Sequence, residues 1–307
     1  MSGYVPKRVS STRTAMGTTD QTPEGYGSVM LGMLSSVGRS SSNWRAIKRR
    51  SYVTSNQQIN KNRYNLHNVS KVNIVSSNGN KYVFNNGNSY DANLKYNLSL
   101  GGYKITHIPK AHPIAILNNG KESKISYHVV DNTPIIIKVS GGAESPTNGD
   151  YYTFKDVNGN AMRIGDGTFR FMRGRTYKFE ADNIGTNHPF KIYMKPSGVG
   201  AFQNDNNDSN DGIKGSSGSI TITIPKGHST TAGDIYYQCG NHGGMIKNLS
   251  LLYKSVTGTT NDASYDFYYG DVIVSVNGNF DVASVYCYYH GYMGGNNIFK
   301  YIHLDNL

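Results

Sequence analysis

The chain is poor in cysteine, with two in 307 residues, Cys239 and Cys287. A scaffold stapled by several disulfides is thereby excluded. It has no apolar run near the ~20 residues that a bilayer-spanning helix needs, so no membrane span is expected. Ala and Leu are sparse, which argues against a helical bundle. Lys7 and Arg8 are followed by Ser and Thr rather than an apolar stretch, so no secretory leader is expected. Acidic residues are in deficit, 20 against 31 Lys and Arg, for a net charge of +11. Nor is there a phosphate-cradling Gly loop between a strand and a helix.

What remains is a chain of 35 Gly, 24 Tyr and 10 Phe, with many Asn, Val and Ile. Turn formers mixed with β-branched and aromatic residues describe short strands joined by tight turns. Strands are expected at Lys71–Val75, Tyr82–Phe84, Tyr96–Leu100, Tyr103–Thr106, Ile114–Leu117, Ile125–Val130 and Ile135–Val139. Asn78–Gly79, Asn86–Gly87 and Asn119–Gly120 should turn the chain between them. A second set is expected at Thr168–Met172, Thr176–Glu180, Phe190–Met194, Ser219–Ile224, Ile235–Gln238 and Leu249–Tyr253, with Asn204–Gly218 as a surface loop. Val272–Val276 and Ser284–Tyr288 close the series. The expected fold class is all-β, as sandwiches or barrels.

The charge is unevenly placed. Residues 1–63 hold Lys7, Arg8, Arg13, Arg39, Arg45, Lys48, Arg49, Arg50, Lys61 and Arg63 against Asp20 and Glu24, a net of +8 out of +11. This stretch is rich in Ser, Thr and Gly, and reads as an extended basic arm over residues 1–67. Its partner would be nucleic acid or an acidic protein surface.

One pattern occurs twice. Cys239-Gly-Asn-His242-Gly-Gly-Met245 and Cys287-Tyr-Tyr-His290-Gly-Tyr-Met293 are both Cys-x2-His-x2-Met, each following an expected strand. Upstream lie two His-Pro-apolar elements, His188-Pro189-Phe190 and His112-Pro113-Ile114. One thiolate, two imidazoles and a weak thioether make the ligand set of a mononuclear type-1 copper site. Buried, inert cysteines or a Cys239–Cys287 disulfide would leave the His and Met offsets unexplained. Zinc would use the Cys-x2-His pairs but gives no reason for Met at the same offset in both copies.

Arg173-Gly-Arg-Thr-Tyr-Lys-Phe179, Asn187-His-Pro-Phe190, Gly218-Ser-Ile-Thr-Ile-Thr-Ile-Pro225 and Tyr236-Tyr-Gln-Cys-Gly-Asn-His242 together resemble a plastocyanin-like cupredoxin domain over about residues 151–255. The spacing of the ligand loop is most similar to amicyanin. The resemblance implies a Greek-key β-sandwich, with His188, Cys239 and His242 as equatorial copper ligands and Met245 as the axial one. For the second copy it implies His112, Cys287, His290 and Met293, with His107 and His128 as rival ligands.

Cys239 follows His188 by 51 residues, whereas Cys287 follows His112 by 175. Removing residues 142–258 shortens the longer gap to 58, so one domain is expected to be inserted in the other. The organisation is then arm 1–67, outer cupredoxin-like domain 68–141 plus 259–307, and inner domain 142–258. The Tyr-Tyr-His-Gly-Tyr-Met-Gly-Gly and Tyr-Tyr-Gln-Cys-Gly-Asn-His phrases also resemble cupredoxin-like domains in structural proteins of marine phages and large double-stranded DNA viruses of algae and protists. That implies a virion location and a minor capsid or decoration role among other capsid proteins. The alternative is a soluble copper protein carrying single electrons, cytoplasmic if cellular. The nine His include no His-x-His pair of the kind that builds a trinuclear oxidase cluster, and no enzymatic activity is expected.

Overall fold

The computed structural model describes residues 65–130, 132–194, 205, 211–229, 231, 233–257 and 263–303. The basic residues singled out between Lys7 and Arg50 lie outside this range. Among the described residues there are twenty strands and no helix, within one compact unit that holds two separate hydrophobic cores.

The first core is closed by strands from both ends of the described chain. β1 (Val69–Lys71), β5 (Gly101–Ile108), β18 (Gly270–Val276) and β7 (Ile125–Val129) form one sheet, in that order. β5 pairs parallel with β1 and antiparallel with β18. A facing sheet runs β4 (Tyr96–Leu98), β20 (Phe299–Tyr301), β19 (Val282–Cys287) and β6 (Ile114–Leu117). Alternation does the sorting: Val272, Val274 and Val276 of β18 point inward between half-buried neighbours, as a half-solvated strand requires. β6 has every residue buried. The hairpin of β2 (Asn73–Ser76) and β3 (Asn80–Val83) turns through Asn78 and Gly79, both at positive φ. Asn119 and Gly120 do the same. At the third expected turn the left-handed pair is Asn85–Asn86, one residue early.

The second core lies under a sheet of order β10 (Ala161–Met162), β9 (Thr153–Lys155), β8 (Ile135–Gly141), β11 (Thr176–Ile184), β13 (Ser219–Thr223). It is completed by β12 (Phe190–Met194), β14 (Ile235–Cys239) and β15 (Ile246–Asn248). Ile137, Val139, Phe179, Phe190, Ile220 and Tyr237 fill it. A short hairpin, β16 (Tyr253–Ser255) with β17 (Ser264–Asp266), leads back to the first body.

Several expectations are corrected. β8 was expected in the outer domain, but it pairs with β11 and β9 and buries Ile137 and Val139 in the second core. Leu252 and Val256, expected in the inner domain, pack in the first core. The chain therefore crosses between bodies near residues 130–135 and 250–252, not at 141 and 258. Leu66, expected in the arm, is buried in the first core. Thr168–Met172 and Leu249–Leu252 are not strands; they meet in a single bridge, Phe171 to Leu251, and at Tyr253, where the expected strand should end, β16 begins. The described part of the expected 204–218 loop makes bridges from Ile213 to Phe190 and from Gly215 to Ile184.

At the crossing, Met172 enters the first core. The Arg173 guanidinium lies 4.3 Å over the Tyr253 ring and 3.4 Å from Asp266. Arg175 donates to the carbonyls of Val130 and Thr133.

Candidate metal centres

Each centre is set by one antiparallel strand pair. In the second body β12 pairs with β14 so that Phe190 faces Cys239, which brings His188, two residues upstream, beside the end of β14. In the first body β6 pairs with β19 so that Ile114 faces Cys287, and His112 arrives by the same two-residue step. The shared register is why the His-Pro-apolar element and the cysteine belong together despite different separations along the chain.

The ligand loops then fold back. At the inner centre the Cys239 amide donates to the Met245 carbonyl, the Met245 amide donates to the His242 carbonyl, and the Asn241 amide reaches the Cys239 sulfur at 3.4 Å. The sulfur lies 3.9 Å from His188 Nδ1 and 3.5 Å from His242 Nδ1. At the outer centre the corresponding separations are 3.9 Å to His112 and 3.4 Å to His290, with the two Nδ1 atoms 3.1 Å apart. Nitrogen and sulfur donors held ~2.0–2.3 Å from one ion at angles of about 100–120° lie roughly 3–4 Å apart. Both clusters, His188–Cys239–His242 and His112–Cys287–His290, therefore fit a single metal ion. The other two candidates stand elsewhere: His107 is exposed on β5, and His128 on β7 pairs with Ile273 of β18.

Both cysteines are free and buried, which leaves the inert-cysteine and metal readings standing and removes the disulfide. Met245 and Met293 are buried as well, but their loops differ. The outer loop tightens to a bond from the Cys287 amide to the Gly291 carbonyl, and Met293 sits at φ 45°. His290 is exposed, while the other three imidazoles are half-buried. Burial first, and the His290 imidazole second, hold His112 below the usual histidine range.

The surroundings separate the two centres. Glu144 approaches His242 Nε2 at 3.5 Å, on the ring nitrogen that faces away from the sulfur. Next to Cys287 the Lys254 ammonium donates to the Tyr288 carbonyl and lies 4.7 Å over the Tyr288 ring. Burial lowers the Lys254 pKa, opposed by the nearby Cys287.

Sequence reasoning missed a pair of tyrosines. Tyr82 on β3 donates to the His112 carbonyl at 3.0 Å. Tyr152, just before β9, donates to the His188 carbonyl at 3.1 Å and the Pro189 carbonyl at 3.3 Å. The available signal was a second repeat, Tyr82-Val-Phe84 and Tyr152-Thr-Phe154, which on its own reads as ordinary core. No protein-family model matches the chain, and neither the curated proteins nor the solved structures yield a match.

Proposed function

We propose that this is a copper protein whose two sandwich-like bodies are cupredoxin-like Greek keys, each with one type-1-like site. The ligands are His188, Cys239, His242 and axial Met245 in one, and His112, Cys287, His290 and axial Met293 in the other. The observation that carries the reading is the twofold occurrence of a His-Cys-His cluster built on the same strand register. Copper is favoured over zinc because soft sulfur donors suit Cu(I), imidazole suits both oxidation states, and a buried methionine follows each cluster. Bound copper would supply one-electron exchange between Cu(I) and Cu(II). The chain's own part is to keep each cysteine sulfur out of water and its histidines on short loops. His290, the exposed imidazole, offers the route by which an electron reaches a partner. No group-transfer or hydrolytic chemistry is assigned.

Titration with Cu(II) tests this. Two equivalents should bind and raise an intense thiolate-to-copper absorption, of which Cys239→Ser and Cys287→Ser each remove about one site's share, and the double variant all. An absorption indifferent to both cysteines, or none at all, would defeat the copper assignment.

A second reading concerns setting. The concentration of +8 of the +11 net charge in residues 1–63 supports a structural virion component, minor capsid or decoration, anchored through its arm. Packaged nucleic acid or an acidic protein surface would be the partner. Deleting residues 1–60 should leave both metal sites intact and abolish incorporation into particles. Normal incorporation of the deleted protein would leave the soluble one-electron carrier as the better reading.

A further inference from the structure

We propose that the cleft where the two bodies meet binds a single-ring aromatic carboxylate, with the ring on its apolar floor and the carboxylate between Lys110 and Arg170. The proposal is independent of the copper reading.

The cleft has a volume of about 150 Å3 and is walled from both sides. Leu252 and Tyr269 come from the first core, Met162 and Phe169 from the second. Leu252 and Phe169 are buried, whereas Lys110 and Tyr289 are exposed and mark the mouth. A cavity of ~150 Å3 accommodates one benzene ring, so the enclosed part holds a single ring and not a nucleoside.

The charges in the lining have one sign. Lys110, Arg163 and Arg170 line the cleft, and no carboxylate does. Arg163 is paired with Asp166 at 2.5 Å, but Lys110 and Arg170 make no ion pair among the described residues. They rest on rings instead, the Lys110 ammonium 5.1 Å over Phe169 and the Arg170 guanidinium 5.5 Å over Tyr288. A ring face attracts a cation without neutralising it, so both charges stay available to an anion. Arg170 offers a planar fork to two carboxylate oxygens, and Lys110 a point charge. The Tyr269 hydroxyl makes no hydrogen bond among the described residues. Burial raises its pKa to about 12, against the pull of Arg175, so it keeps a proton to donate.

Inorganic phosphate would satisfy the cations but leave Leu252, Met162 and Phe169 against water. A neutral arene would cover the floor but strip water from the cations with nothing in exchange. An aromatic carboxylate meets both demands. Because the walls come from both bodies, an occupant ties them together and stabilises the fold by mass action.

The test uses the full-length protein with benzoate as the probe and no added metal, read by calorimetric titration and by the thermal midpoint. Benzoate should bind saturably, one per chain, and raise the midpoint. Arg170→Gln and Lys110→Gln should each weaken binding about tenfold. Lys81, whose ammonium also lies over a ring, that of Tyr90, stands outside the cleft, and Lys81→Gln should leave binding unchanged. Benzyl alcohol and inorganic phosphate should bind more weakly than benzoate, each by about tenfold or more. In NMR spectra the benzoate ring protons should show contacts to the methyl groups of Met162 and Leu252. Absence of saturable benzoate binding would overturn the proposal. So would phosphate or benzyl alcohol binding as tightly as benzoate, or the same affinity in Arg170→Gln, Lys110→Gln and Lys81→Gln. Should a variant fail to fold, the parent decides: ring-to-methyl contacts support the cleft as the site, and their absence at saturation overturns it.

Discussion

Gly142 lies one residue beyond β8, at φ +108°, a conformation costing an L-residue ~1–3 kcal/mol. A Cβ there would stand 2.7 Å from His188 Cβ and 3.2 Å from the Tyr152 ring. Neither neighbour can retreat cheaply, because Tyr152 is held by its bonds to the His188 and Pro189 carbonyls. Gly142→Ala should therefore lower stability by about 1–3 kcal/mol and weaken copper binding at the inner centre while the outer one loads normally. Denaturant midpoints and the thiolate absorption of the remaining site measure both effects. Equal loading of the two centres would show that His188 tolerates displacement. Elsewhere at this scale the two centres part company. Glu144 stands on the Nε2 side of His242 and leaves Nδ1 turned toward the sulfur, whereas at the outer centre the Lys254 ammonium bonds the Tyr288 carbonyl, one residue past Cys287.

Strands were readable where a single core imposes a single period. Phe190–Met194 alternates buried and half-buried along its whole length, and its expected limits agree with the observed ones. The Cys-x2-His spacings were readable for a similar reason, since a cysteine that ends a strand and a histidine on the loop after it are neighbours in sequence as well as in space. Pairing partners were not readable. Ile135–Val139 looks like a strand from its own residues, but nothing local says that its parallel neighbour begins at Thr176. Segments serving two cores misled most. Phe169 and Phe171 point into the second core and Met172 into the first, so their apolar spacing imitates a strand without a sheet. Leu249 and Leu252 divide in the same way. Two- and three-residue strands such as Ala161–Met162 and Ser264–Asp266 are too short to carry a period. The tyrosines that bond the His112 and His188 carbonyls escaped notice because a buried aromatic reads as ordinary core in this composition.

The two bodies are joined where Arg173 meets Asp266. Burial pushes the Asp266 carboxyl up to about 6, against the opposing pull of Arg173. Its folded pKa therefore exceeds the unfolded one, and between pH ~4 and ~6 the native state holds more proton than the unfolded chain. Stability should fall as pH rises through that window, by up to about 3 kcal/mol from this group, and then level off. Asp150 pulls in the same direction, its carboxyl raised chiefly by burial, so the slope has two sources. Denaturation across this window should show a shallower slope in Asp266→Asn than in the parent, and equal slopes would place the titration elsewhere. The interleaving of the first body also has a consequence in time. His112 is made 175 residues before Cys287, but His188 only 51 before Cys239. At about 5–20 residues per second of synthesis, the outer ligands wait roughly 10–35 s for each other and the inner ones roughly 3–10 s. Through that interval β5, β6 and β7 stand without β18 and β19, their hydrogen-bonding edges open. Ribosome-bound chains stalled once residue 257 has emerged should take up one copper, at the inner cluster. Uptake of none would mean that the inner body needs the finished outer one. The nascent chain is thus a one-centre protein with an exposed sheet edge, and a chaperone or a neighbouring chain has its best opportunity to capture it before the last fifty residues arrive.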